Sequence, residues 1–270
     1  MVLDEDGPVR VSRRHSPIII RTAGRGPAAV SEFLYSFRVE LVVAPIAELR
    51  PRITHYFEEV VGETLDRGNG ASTDSNRFAC GLTGGSAALI FLGALREADV
   101  NWSRVALYWG DERAVPPDSP DSNYGLAEQM LLKPLGARAP NAVRMQAELP
   151  DLKFAAKQYS RLLPPALDLL VLGAGDDGHV CSLFPGHRAL LVNDSYVTSV
   201  EDAPKPPPRR LTLTMPYILR ARRVWIVIVG ERKRLLLERA LSGEAPSTPL
   251  ELVVAQSAAS IFTDQIIRRR

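Results

Sequence analysis

Cysteine is nearly absent: the 270 residues include two, Cys80 and Cys181. Two isolated thiols make no disulfide framework and no Cys-x-x-Cys metal site. Both lie among apolar residues, so the sequence predicts buried, unreactive thiols and a reducing, cytoplasmic setting. Long apolar runs are also missing. None approaches the roughly 20 residues of a membrane-spanning helix, and Ile18-Ile19-Ile20 is too short for the apolar centre of a signal peptide. Asp4, Glu5 and Asp6 argue against a transit peptide. Nor is there an excess of either charge: 33 Lys and Arg face 31 Asp and Glu, a net +2. That balance gives no electrostatic case for a nucleic-acid or membrane surface. The one dense basic run, Arg268-Arg269-Arg270, reads as a solvated helix end.

With 46% hydrophobic and 24% charged residues, the chain has the composition of a globular protein. Residues 1–36 read as a poorly ordered extension, because arginines alternate with Gly, Pro and Ser without periodicity. Residues 37–270 read as one α/β domain. Strands are predicted at 39–43, 78–82, 105–109, around 143, and at 167–172, 196–200, 211–214, 224–229 and 260–263. Helices are predicted at 46–65, 86–95, 124–132 (stopped by Pro134), 152–163 and 231–241, with a last one at the C-terminus. A polar loop is expected at 66–77. Alternating strands and helices predict a mostly parallel, doubly wound, Rossmann-like sheet with helices on both faces.

The chemistry-bearing motifs lie where these strands end, which is where open α/β sheets place ligands. Gly173-Ala174-Gly175-Asp176-Asp177-Gly178-His179 follows the strand at 167–172. Its glycines permit a sharp turn, and His179 titrates in the range suited to proton transfer near neutrality. Gly84, Gly85 and Ser86 stand between a strand and a helix, where free N–H groups favour an anion such as phosphate. The spacing is neither that of a P-loop nor that of the dinucleotide fingerprint. Gly110-Asp111-Glu112-Arg113 follows the third strand, and Arg113 there can stabilise developing negative charge. Lys205-Pro206-Pro207-Pro208-Arg209-Arg210 holds basic side chains on a stiff segment. Lys233, at a helix start against the dipole, is best explained by a facing anion. Together they suggest a phosphate clamp (Gly84, Gly85, Ser86, Arg210, Lys233) and a reaction centre (His179, Asp111, Arg113). No Gly-x-Ser-x-Gly elbow is present, and His179, Cys181 and His187 lack a zinc spacing.

Five pieces in one order make the chain resemble the 6-phosphogluconolactonase family: residues 82–86, 110–113 with Ser122-Asn123, 175–186, 205–214 and 230–233. The resemblance spans about residues 37–267. It implies hydrolysis of 6-phospho-D-glucono-1,5-lactone without metal or organic cofactor, on a fold shared with glucosamine-6-phosphate deaminases. It implies that His179 is the general base, that Arg113 holds the oxyanion or lactone oxygens, and that Asp177 and Asp111 position His179 or the sugar hydroxyls. By the same resemblance Asn123 and Gly178 contact substrate, and a small sugar-phosphate lactone is the partner of a monomer or weak homo-oligomer. Two departures stand out. Asp176 replaces a usual proline and predicts an upward pull on the pKa of His179, and Val180 replaces a common threonine. A deaminase-like isomerase is disfavoured because Ser182-Leu183-Phe184-Pro185 offers no carboxylate. A catalytically silent sugar-phosphate sensor would keep the clamp and lose the base.

Overall fold

Several strands of this chain are apolar at every position, and that dictates how they pack. In a computed structural model, which describes residues 18–21, 39–66 and 77–267, Phe78–Leu82 (β3), Val105–Trp109 (β4) and Val224–Ile228 (β10) are buried throughout. Strands apolar on both sides need cover on both faces, which is the setting of a parallel sheet. The main sheet also contains β1 (Ile18–Arg21), β2 (Val39–Val43), β6 (Asn141–Val143), β7 (Leu169–Gly173) and β11 (Ala259–Thr263). Its order is β1-β2-β11-β10-β7-β3-β4-β6, and every pair in it is parallel. Of the segment read as an extension, Ile18–Arg21 supplies the edge strand; the rest lies outside the described residues, as do Arg268-Arg269-Arg270 and most of the 66–77 loop.

Helices α1 (Ile46–Asp66) and α2 (Gly85–Glu97) pack on each other. A helical run from Asn123 to Leu135 follows β4, as α3 (Asn123–Ala127), a π-type turn (Glu128–Leu132) and α4 (Lys133–Leu135). Right-handed crossovers put these on one face. The later connections run the opposite way along the sheet and put α5 (Leu152–Leu162), α7 (Arg234–Ala240) and α8 (Pro249–Gln256) on the other. A short α6 (Met215–Ile218) precedes β10. The direction reverses between β3 and β7, so the loops leaving their carboxyl ends part and open a crevice. Asp168 fixes this junction, its carboxylate accepting the Ala79 N–H at 2.9 Å. Across the sheet, the Tyr159 hydroxyl of α5 accepts the Trp109 N–H at 2.7 Å and pins the end of β4.

Beyond the edge strand β1 and the short α6, neither of them expected, the structure departs from the sequence expectation in four places. A small antiparallel sheet, β5 (Asp111–Arg113), β9 (Arg210–Leu213) and β8 (Val197–Val200), stands beside the main one. Pro134 does not stop its helix. The π-type turn before it has already shifted the hydrogen-bonding pattern, so the missing N–H is tolerated and the run continues to Leu135. Helix α8 was not expected, and residues 264–267 after β11 are not helical. Among the described residues no helix is long and apolar enough to cross a membrane.

Candidate active site

The loop after β7 is shaped by its glycines around one histidine. The Gly175 N–H donates to the His179 carbonyl at 3.0 Å, and the Gly178 N–H to the Gly175 carbonyl at 2.9 Å. Gly178 sits at φ +80°, and a Cβ there would lie 2.7 Å from Thr248, the residue capping α8. A Cβ on Gly175 would lie 2.0 Å from the His179 ring. The loop therefore folds flat under the imidazole, and α8 braces it through the Leu250 N–H, which donates to the Gly178 carbonyl at 2.9 Å. His179 Nδ1 faces Asp177 Oδ1 at 2.5 Å, and Lys205 Nζ reaches the same oxygen at 3.2 Å. Burial pushes the His179 pKa below its ordinary value and outweighs the upward pull of Asp177. Burial also opposes ionisation of Asp177, but His179 and Lys205 prevail and hold it below the usual carboxylate range. At neutral pH the ring is thus neutral, with its Nδ1 proton on the Asp177 side and Nε2 left as a proton acceptor.

A buried polar network supports this loop from the small sheet. Asp111, 4% exposed, accepts the Ser182 hydroxyl at 2.6 Å and the Asn123 amide at 3.0 Å. Arg210, 3% exposed, donates to the carbonyls of Lys205 (2.9 Å), Pro206 (3.1 Å) and Pro207 (2.8 Å) and to Ser182 Oγ (3.3 Å). Its guanidinium also lies over the Phe184 ring. Glu112 is the organiser that the sequence reading passed over. Its carboxylate accepts the N–H groups of Arg113 (2.7 Å), Asn123 (2.8 Å) and Tyr124 (2.8 Å) and the Ser122 hydroxyl (3.0 Å). Burial raises its pKa and those three backbone N–H bonds partly offset the rise. Glu112 therefore both starts α3 and ties it to β5.

The third part is a helix start left open. α2 begins after Gly84 with no side chain capping it, and Gly85 and Ser86 are exposed. Gly84 lies hard against Asn123, since a Cβ there would fall 1.8 Å from Asn123 Oδ1. Gly173 lets α2 approach β7, where an added Cβ would lie 3.0 Å from Ala87. Lys233 reaches across from the end of β10 to the Ala174 carbonyl at 2.7 Å. Burial lowers its pKa, against an upward pull from Asp176. The loops after β3, β4, β7 and β10 thus meet at one edge of the sheet. An uncapped helix N-terminus, two lysines and a neutral histidine stand there together, suited to an anionic substrate and a proton transfer.

The sequence matches the family model of glucosamine-6-phosphate isomerases/6-phosphogluconolactonases over residues 52–262. The chain belongs to this family. It is 38% identical over 207 residues to the 6-phosphogluconolactonase of Rattus norvegicus, covering 72% of this chain and 80% of that one. It is 37% identical over 180 residues to that of Mycobacterium tuberculosis, covering 61% and 73%. Among solved structures, the 6-phosphogluconolactonase of Trypanosoma brucei superposes with a TM-score of 0.70 at 24% identity, over 84% of this chain and 97% of that one. The enzyme from Shewanella baltica gives 0.72 at 24%, over 83% and 96%. These two show the shared α/β fold.

Within this family fold, the residues singled out from sequence separate into those facing the crevice and those behind it. His179, Asp177, Gly84, Gly85, Ser86 and Lys233 belong to the loops at the crevice. Arg113 is half-buried, with Nη1 donating to the Asp121 carbonyl at 2.8 Å and Nε buried without a partner among the described residues. Asp111, Asn123 and Gly178 are behind: the first two hold each other and Ser182, and Gly178 is a turn residue. Arg210 does not fit the phosphate clamp, because its donors are already committed to carbonyls and to Ser182. Arg209 does not replace it, being paired with Glu201 at 2.8 Å. Lys205, from the same basic segment, reaches the site instead. The upward pull expected of Asp176 on His179 falls on Lys233. Cys80 and Cys181 are buried, and burial pushes both thiols up.

Proposed function

We propose that this chain hydrolyses 6-phospho-D-glucono-1,5-lactone to 6-phospho-D-gluconate, the lactone-opening step of the oxidative pentose phosphate pathway. The observation that carries the reading is His179, its Nδ1 held against Asp177, at the sheet edge where the α2 N-terminus and Lys233 gather. His179 Nε2 takes a proton from water as the water oxygen bonds to the lactone carbonyl carbon. The carbonyl π electrons move onto its oxygen, and Arg113 stabilises that oxyanion. When the intermediate collapses, the bond to the ring oxygen breaks and the imidazolium returns its proton to that oxygen. The product carries a new hydroxyl and a carboxylic acid, which ionises. Asp177 keeps the imidazole oriented and stabilises its charged form. The N–H groups of Gly85 and Ser86, with Lys233 and Lys205, hold the 6-phosphate. Asp111 and Asn123 act from behind, by fixing Ser182 and the start of α2.

The test is lactone disappearance followed with a chelator present. Such lactones also open spontaneously, so the expected result is acceleration far above the background rate. A folded sample that binds 6-phosphogluconate but leaves the background rate unchanged would make the protein a sensor.

A further inference from the structure

A groove of about 640 Å³, lined by none of the residues placed in the active site, runs between α5 and β8. β8 is the outer strand of the small sheet. The Thr214 N–H donates to the Tyr196 carbonyl at 3.0 Å, which fixes the alternation of the β8–β9 ladder. The backbone groups of Val197 and Ser199 consequently turn away from β9, toward the groove that both residues line. Such a strand edge is a template for one more strand.

The facing wall is basic. Lys153, Lys157 and Arg161 line the groove and are exposed. They recur every fourth residue, so they stand on one side of α5. None of the three forms an ion pair among the described residues, whereas Arg144 and Arg234 each pair with a glutamate four positions on. Four residues advance a helix by about 6 Å. Side chains on one side of an extended strand recur every 6.7 Å or so. Three acids at alternate positions of a strand laid on β8 therefore nearly match the three cations in spacing. Asp194, at the end of the groove where β8 begins, is the acidic residue in the lining and disfavours a further acid there.

We propose that this groove binds an extended acidic segment of a partner protein, which adds to the free edge of β8 and sets alternate Asp or Glu side chains against Lys153, Lys157 and Arg161. The probe is a fluorescent seven-residue peptide with glutamate at positions 2, 4 and 6 and threonine or valine elsewhere, titrated into the full chain. Saturable binding is expected, weakened at least about tenfold by the triple variant Lys153→Glu, Lys157→Glu, Arg161→Glu. The circular dichroism of that variant should match the unmodified chain. The same peptide N-methylated on alternate amides should bind correspondingly less, since it cannot pair with a strand edge. Binding that survives charge reversal, or no binding at all, overturns the proposal. Equal binding of the N-methylated peptide makes the groove a plain polyanion patch and overturns strand addition. Binding seen only after Asp4→Asn, Glu5→Gln and Asp6→Asn gives the groove to this chain's own acidic run and overturns the assignment to a partner.

Discussion

His179 works as a base only while neutral, and its burial sets where that holds. Its folded pKa lies below the ordinary value of about 6.5. The acid limb of kcat/KM against pH, which reports the free protein, should therefore lie below that value, with a plateau through neutrality. Asp177→Asn removes an upward pull on the ring, so the limb should move further down in pH. At the same time kcat should fall about a hundredfold or more, because the Nδ1 proton loses its acceptor. A limb at or above 6.5 would show that another group titrates. Lys233 and Arg210 offer a second contrast. Lys233→Ala should raise KM for the phosphorylated lactone by about tenfold or more while leaving thermal stability nearly unchanged. Arg210→Lys loses donors to three carbonyls and to Ser182, and should lower the unfolding free energy by roughly 2 kcal/mol or more. If Arg210→Lys instead changed KM alone, the guanidinium would belong to the phosphate clamp after all.

At the scale of the elements, α3 and α2 are set by single buried contacts. Glu112→Ala leaves three N–H groups and the Ser122 hydroxyl without their acceptor and should cost roughly 2–4 kcal/mol in denaturant unfolding. A cost under about 0.5 kcal/mol, as for an exposed ion pair, would deny Glu112 this part. Gly84→Ala pushes a methyl into Asn123, and overpacking of that kind costs about 1–3 kcal/mol. In an Asn123→Ala background the same substitution should cost about 1 kcal/mol less, a coupling that a double-mutant cycle reads directly. The sequence showed that 110–113 and 122–123 mattered, but not how they join. Glu112 reads as one charge in a run until folding sets it against the start of α3, eleven residues away in sequence. Helix α8 could have been found: Thr248-Pro249-Leu250-Glu251 has the signals of a capped start, and the Thr248 side chain does accept the Glu251 N–H, at 3.3 Å.

For the whole molecule, the parallel sheet was legible because its strands are short apolar runs bounded by turns. The site edge followed from the rule that such sheets bind ligands at their carboxyl ends. The small antiparallel sheet was legible only in part: strands were expected where β8 and β9 lie, but β5 is a short charged segment, and it pairs with β9 across about a hundred positions. That pairing also decided Arg210. In sequence it is a cation beside a proline run; in the fold the carbonyls of Lys205, Pro206 and Pro207 turn onto it, and the Lys205 side chain reaches Asp177 instead. The arrangement as a whole rests on His179, so the most direct measurement compares the unmodified chain with His179→Ala, reading lactone turnover and 6-phosphogluconate binding in the same buffer. Turnover should fall about a hundred- to ten-thousand-fold, with product affinity within about twofold, a few tenths of a kcal/mol. Turnover that persists in His179→Ala would contradict the assignment of the general base.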